Sequence, residues 1–193
     1  MNLLQHGGFY LMVDIVGRTL NYVPEANVKD GTYKIPSKIT HIGDSCFGNN
    51  LALKWIDIPS GITKIGAWAF ANSGLQSIEL PSNVTVIGDG VFSNCRSLTQ
   101  VKIGSGFDTI RRWTFEKCVA LTSIVIPANI ILIDDLAFAD CSNLTSVRIV
   151  NEGIQIAPNA FRNTRALEKI TVGSGERARN YFKNANGNIE FRQ

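Results

Sequence analysis

Histidine is almost missing from this sequence: His6 and His41 are the only two in 193 residues. General acid–base catalysis and imidazole metal centres both need such side chains held at set geometry, so little material for either is present. Charge is scarce too. Charged residues make up 18 %, and 19 basic against 16 acidic residues leave a net charge of +3. That balance supplies no polybasic surface for nucleic acid or an anionic membrane. No apolar run approaches the roughly 20 residues of a membrane-spanning helix. The N-terminus reads MNLLQHGGFYLMVDIVGR, with a short apolar run, Asp14 interrupting it and no basic residue before it. Such a segment argues against a secretory signal. Four cysteines in a chain of this length do not make a disulfide scaffold.

What the chain has instead is apolar content, 45 % of it, arranged with a period. Phe47, Phe70, Phe92, Phe115, Phe138 and Phe161 stand 23, 22, 23, 23 and 23 residues apart. Leu53, Leu75, Leu98, Leu121, Leu144 and Leu167 keep step with them. So do Ile56, Ile78, Val101, Ile124, Val147 and Ile170, and a second column of Ile42, Ile65, Ile87, Ile110, Ile133 and Ile156. Proline recurs at Pro36, Pro59, Pro81 and Pro127. Self-similarity at such a period marks a repeat architecture.

The unit reads L-x-x-I-x-I-P-x-x-[IV]-x-x-I-G-x-x-A-F-x-N-C. In I-x-I the apolar residues alternate, so both face one side of a strand. Proline ends that strand, having no N–H for a ladder. The [IV]-x-x-I-G portion predicts a second short extended segment, and the phenylalanine enters the core at the next bend. Asn49, Asn72, Asn94 and Asn163 after it suit a turn, with Lys117 and Asp140 as variants. One unit cannot bury its own apolar side; stacked units share a continuous core. The expected architecture is a β-rich solenoid, a right-handed superhelix of about six repeats over 31–173 with little helix. Residues 1–30 form the N-terminal cap, where 9–23 predict a β-hairpin turning at Gly17-Arg18. Residues 174–193 form the C-terminal cap, with a short helix over ERARNYFKNA, Tyr181 and Phe182 covering the last rung, a turn at Asn186-Gly187 and a final short strand at IEF.

Ile58-Pro59, Ile62-Thr63, Ile65-Gly66 and Ala69-Phe70, and again Leu80-Pro81, Val84-Thr85, Ile87-Gly88 and Val91-Phe92, resemble the hallmark of the BspA-like leucine-rich repeats, also called the Treponema pallidum type. The resemblance covers roughly residues 30–173. Unit 101–123 departs from it with Gly104 for Pro and Arg111 for Gly; unit 147–169 departs with Val150 for Pro and an irregular NEGIQIAP segment. The resemblance implies binding rather than chemistry: members are typically surface or secreted proteins associated with adhesion. The partner it implies is a protein or glycan, with no cofactor, no nucleic acid and no membrane insertion. The alternative is a structural subunit of a homo-oligomer or of a larger particle such as a phage virion. Without an evident signal the chain is expected inside the cell, exported by another route or in such a particle, and the fold does not choose among these.

Candidate sites compete with structural explanations. Cys95, Cys118 and Cys141 share one repeat position with Asn50, Ser73 and Thr164. A parallel column does not converge on one tetrahedral point, which favours reduced, packed thiols over a metal site. Cys46 replaces the alanine of other units and is a small core filler. No thiol is placed by the period to pair with His41, so a Cys–His nucleophile is disfavoured. GSG at 104–106 and 173–175 is a bend, not a phosphate loop. The sequons at Asn83 and Asn143 both lie within the repeat.

On the first strand the outward column is Asp57, Glu79, Lys102, Val125, Arg148 and Thr171, with Trp55 nearby. It is either ordinary solvated charge, Glu79 pairing with Lys102, or a polarised binding face. Two residues before Phe stand Ser45, Trp68, Gly90, Trp113, Leu136 and Asn159, and before the second Ile stand His41, Lys64, Val86, Thr109, Leu132 and Gln155. Apolar residues at outward positions point to a partner, or else the indoles complete local packing. Trp68 and Trp113 flank Gly90. Either a notch opens between two indole walls, with Arg112 beside it to bind a carboxylate or carbonyl, or both indoles fold over Gly90 and leave a flat apolar patch suited to self-association.

Overall fold

A computed structural model describes residues 12–167, 169–173, 179–183 and 189–191. The chain winds into a β-solenoid of about seven turns with almost no helix. Its first turn is a hairpin, β1 (Asp14–Val16) and β2 (Thr19–Tyr22), reversed at Gly17, whose φ of 60° suits glycine. A single 3₁₀ turn, Glu25–Asn27, follows.

Two ladders then run along the array. The [IV]-x-x-I segments supply β3 (His41–Ile42), β4 (Lys64–Ile65), β6 (Val86–Ile87), β8 (Thr109–Ile110), β10 (Leu132–Ile133) and β12 (Gln155–Ile156). The I-x-I segments supply β5 (Ser77–Glu79), β7 (Gln100–Lys102), β9 (Ser123–Ile126), β11 (Ser146–Ile149) and β13 (Lys169–Val172). Pairing is parallel and equivalent residues face each other: Ile42 opposite Ile65, Val147 opposite Ile124. This is the register that the period demands. A slip of one residue would turn each buried isoleucine to solvent.

The core is a set of columns. The six phenylalanines are at most 1 % exposed, and successive rings stack with centroids 5.0–5.6 Å apart. Tyr33 closes the N-terminal end of that stack edge-on against Phe47, at 5.7 Å. The Leu and Ile columns are buried alongside it, apart from Val101 and Ile156, which are half-buried. A third ladder fixes the bends. Phe47, Phe70, Phe92, Phe115 and Phe138 each donate a backbone N–H to the carbonyl of the residue before the next phenylalanine, such as Phe70 to Val91 at 2.9 Å. Those bonds require an alternation of left-handed residues. Asn49, Asn72, Asn94, Lys117, Asp140 and Asn163 all have φ of 57–61°, the conformation asparagine tolerates best among residues with a Cβ.

In the described part of ERARNYFKNA, residues 179–183, a strand stands in place of the expected C-terminal helix. Arg179–Lys183 is a strand, β14, antiparallel to β13, and Ile189–Phe191 is β15 on its far side. β13 ends the parallel array with a free edge of N–H and C=O groups, and a segment rich in Tyr and Phe satisfies that edge by pairing. Residues 174–178 and 184–188, including the expected Asn186-Gly187 turn, lie outside the described residues.

Repeat 101–123 interrupts both ladders. No hydrogen bond joins β6 to β8, and none joins β7 to β9. Its first strand, β7, pairs backward with β5; its second, β8, pairs forward with β10. Only the bend ladder crosses both boundaries, through Phe92 to Thr114 and Phe115 to Ala137. The residues responsible are those that depart from the repeat. Gly66 and Gly88 lie so close to the rung beneath that an added Cβ would fall 2.3 Å from its atoms. Arg111 is the first residue to bring a Cβ to that position, and Asp134 and Ala157 do so in later rungs with their ladder bonds formed, so a Cβ alone does not open the ladder. Phe107 stands in the column held elsewhere by Ile39, Ile62, Val84 and Ile130. Gly104 and Gly106 act the other way: a Cβ there would meet Leu80 O at 2.2 Å and Val84 O at 2.1 Å. The fourth rung thus presses on the third at residues 104–106 and stands off from it at 107–111.

Candidate functional site

The outward column two residues before the first five phenylalanines is built on left-handed backbone. Ser45, Trp68, Gly90, Trp113 and Leu136 have φ of 53–62°. Glycine enters this region freely, whereas bulky residues enter it at a cost of about 1–3 kcal/mol. Two tryptophans and a leucine therefore hold strained positions on an outer ridge.

The ring of Trp68 lies over Gly90. A Cβ on Gly90 would sit 2.4 Å from the Trp68 ring, and Trp68 and Trp113 stack with centroids 5.7 Å apart and planes 26° from parallel. A third ring between them would need about 7 Å, twice a contact distance of ~3.5 Å. Of the two arrangements the sequence allowed, the notch is closed and the indoles form a continuous aromatic surface, with Trp68 still 37 % exposed. Arg112 lies over the Trp113 ring at 5.3 Å and reaches Asp135 at 3.5 Å. Arg111 binds Asp89 at 2.6 Å. The patch thus has an aromatic centre and a rim of paired charges. Leu132 is half-buried and Leu136 half-buried, while Val86 and Ile131 are about half exposed on the neighbouring ladder.

The strand-face candidates are separate from this ridge in the repeat. Glu79 and Lys102 are register partners on β5 and β7 and form an exposed ion pair at 2.5 Å. Arg148 stands opposite Val125 and Thr171. Trp55 is 48 % exposed and leans on the cap, its ring beside Gly31. Asp57 is exposed.

The thiol column is fully buried. Cys95, Cys118 and Cys141 donate to the carbonyls of Phe70, Phe92 and Phe115 at 3.0, 3.2 and 2.9 Å. Burial pushes Cys95 up to about 11 and Cys141 up to about 12, and holds Cys118 well above the ordinary thiol range. Burial likewise raises Cys46. Polar residues fill the same column at the ends. Asn50 donates to Val23 O of the cap and accepts from Leu53 N, and Thr164 donates to Phe161 O. His41 Nδ1 sits 2.9 Å from Thr40 Oγ1 rather than by a thiol. Among the described residues no three His, Cys, Asp or Glu side chains gather as a metal site.

The sequence did not disclose the left-handed ridge. Gly90 and Ser45 in the column were the signal; the tryptophans concealed it, because aromatic residues ordinarily avoid that conformation.

The family model for the BspA type leucine rich repeat region matches six copies, over residues 27–141 and 69–188. The chain belongs to this family. Its repeats are similar to those of a leucine-rich repeat protein from Eubacterium ventriosum, at 27 % identity and a TM-score of 0.67, over 82 % of this chain and 45 % of that one. A leucine rich cell surface protein from Faecalibacterium prausnitzii matches at 26 % identity and a TM-score of 0.57, over 82 % and 36 %. A leucine-rich repeat protein from Bacteroides ovatus matches at 27 % and 0.55, over 74 % and 49 %. The chain spans less than half the length of these three structures. A search of curated proteins found no significant match. Repeat modules of the BspA type are generally protein-interaction or surface modules.

Proposed function

We propose that this BspA-type array is a protein-binding module used in attachment, and that its docking surface is the ridge centred on Trp68 and Trp113. One observation carries the reading: two tryptophans occupy left-handed backbone on an outward column. Backbone strain persists where something other than stability favours the residue. Tryptophan is also a leading interface anchor, and an aromatic centre inside a charged rim is the usual anatomy of an interface. The closed stack favours a flat protein surface over a sugar ring held between two walls. Similarity to a cell surface protein supports an attachment role.

The test uses Trp68→Asn, because asparagine keeps the left-handed backbone while removing the indole. Purified candidate proteins and glycans are screened by tryptophan fluorescence and calorimetry. A protein ligand should lose at least about tenfold in affinity with Trp68→Asn, the scale of a hot spot of about 1.4 kcal/mol or more, and keep its affinity with Arg148→Ser. A ligand indifferent to Trp68 and lost with Arg148→Ser or Asp57→Ser would move the site to the strand face. A glycan that binds the ridge would replace protein as its partner. Sedimentation of the wild type and Trp68→Asn distinguishes self-association, in which the indoles join copies of the chain.

A further inference from the structure

The two interruptions of repeat 101–123 fall on successive rungs and on different faces. β6 and β8 part between the third and fourth rungs; β7 and β9 part between the fourth and fifth. In the rungs on either side, the amides that open these strands are tied down. Thr85 N donates to Thr63 O and Gly88 N to Ile65 O, at 2.9 Å each; Ile131 N donates to Asp108 O and Asp134 N to Ile110 O. On the other face Thr99 N and Thr145 N donate to Gln76 O and Thr122 O. The equivalent amides of Asp108, Arg111 and Thr122 make no such bond.

Side chains span the first of these gaps in place of backbone. Trp68 belongs to the second rung, lies over Gly90 of the third and stacks on Trp113 of the fourth. Asp89 of the third rung binds Arg111 of the fourth. Beneath the gap lies an apolar space, lined by Leu80, Ile87, Phe107 and Ile110 among others, with no room for a water molecule.

We infer that repeat 101–123 is a hinge between two rigid blocks, and that the Trp68–Trp113 stack with the Asp89–Arg111 pair is the clasp that holds it shut. The axis runs along the connections that stay intact at that boundary, the bend ladder, where Gly90, Phe92 and Asn94 still donate to Arg112, Thr114 and Glu116, and the β5–β7 pairing. Bending about that line parts β6 from β8 and changes the angle between the blocks while leaving the phenylalanine stack joined. The opening is set at Phe107, where the other rungs have a smaller residue, and at Arg111, the first side chain after the glycines of the three preceding rungs; Asp134 and Ala157 hold the same position in later rungs and keep their ladder bonds. This inference does not depend on the ridge binding a partner. The indoles clasp the hinge whether or not anything docks on them.

Residue-resolved amide hydrogen exchange on the full chain tests it. The amides of Asp108, Arg111 and Thr122 should exchange about tenfold or more faster than those of Thr85, Gly88, Thr99, Ile131, Asp134 and Thr145, because local opening sets exchange within an otherwise protected ladder. Trp113→Asn, which keeps a residue tolerant of left-handed backbone, should speed exchange at Asp108 and Arg111 about threefold further and leave Gly66 unchanged. The double variant Phe107→Ile/Arg111→Gly should slow both amides to the rate of Gly88. Equal protection of Asp108, Arg111, Thr122 and their counterparts in the wild type would overturn the hinge. A uniform rise across all amides in Trp113→Asn would overturn the clasp. A double variant that remains fast at Asp108 and Arg111 would overturn the assignment of the opening to those two side chains.

Discussion

In the rungs of Ile42, Ile65 and Ile87 the residue after the isoleucine is glycine, and at Gly66 and Gly88 the backbones approach until no Cβ fits between them. In the rungs of Ile110, Ile133 and Ile156 that residue is Arg111, Asp134 or Ala157, and the ladder bonds of Asp134 and Ala157 still form. The same period therefore stacks in two ways, with the fault where one gives way to the other. Both blocks share the phenylalanine and leucine columns. These columns supply the common core, and the small residues around them decide how closely each rung seats. A repeat array is a sum of units and interfaces, so one irregular interface can be tolerated without unfolding its neighbours.

The shared columns give the largest expected effect. Phe70→Ala in the first block and Phe115→Ala in the fourth rung should each cost about 3–5 kcal/mol in denaturant melts, the usual loss for a buried phenylalanine. If the hinge leaves the stack intact, as its 5.5 Å and 5.2 Å neighbours of Phe115 imply, the two losses should agree. A much smaller loss at Phe115 would mean that the fault reaches the core.

Next in size is the glycine column. Gly88→Ala places a Cβ against the Ala67 backbone and should cost about 1–3 kcal/mol, as overpacking does. It should also part β4 from β6, repeating in the first block what Arg111 marks in the middle. Gly61→Ala is the control. Its nearest atom would be 3.6 Å away and its backbone is not left-handed, so its effect should be within about 0.5 kcal/mol of zero. Equal melting points for the two variants would remove close packing as the reason for the column.

How far these features could be read without coordinates follows from the same comparison. The columns were legible because a 23-residue period repeats each position, and apolar identity at fixed spacing means burial in a stacked array. The N-terminal hairpin was legible from Gly17 and the alternation around it. The C-terminal strand β14 was not, because its choice between helix and strand depended on the free edge of β13, which lies elsewhere in the chain. Trp68 and Trp113 were marked as outward by their position, yet their contact across Gly90 depends on a left-handed backbone that tryptophan itself does not signal. The departures at Gly104 and Arg111 were visible as letters; their effect on two ladders required the neighbouring rungs.

The thiols test the core on a smaller scale and with pH as the variable. Cys95 lies in the third rung and Cys141 in the fifth, on opposite sides of the fault. Both are raised in the folded state, to about 11 and about 12, from a reference value of 9.0. An unfolded chain therefore loses these protons first. The stability linked to them is fully present below pH 9 and falls as pH rises toward 11–12. Thiol reagents at pH 8 should label native protein slowly and denatured protein at once. Rapid native labelling of Cys118, between the other two, would show that the open ladders admit solvent to the column.

The smallest expected effect belongs to Glu79 and Lys102, which join β5 to β7 across the same pair of rungs that β6 and β8 leave unpaired. The contact is short, 2.5 Å, but its side chains are 63 % and 73 % exposed, and an exposed pair in water yields about 0–1 kcal/mol after screening. Glu79→Gln should thus lower stability by about 0.5 kcal/mol or less, and the difference should vanish in 1 M salt, where the Debye length is about 3 Å. In the second block the residues in register on this face are Val125, Arg148 and Thr171, with no acid among them. If the fault leaves the third and fourth rungs short of backbone contacts, the pair has more to hold there than it would in a complete ladder. Its removal should then quicken exchange at Asp108 and Arg111 before it lowers the melting point. A loss above about 1 kcal/mol that persists in high salt would instead make the pair part of the structural connection between the blocks, beyond what an exposed ion pair supplies.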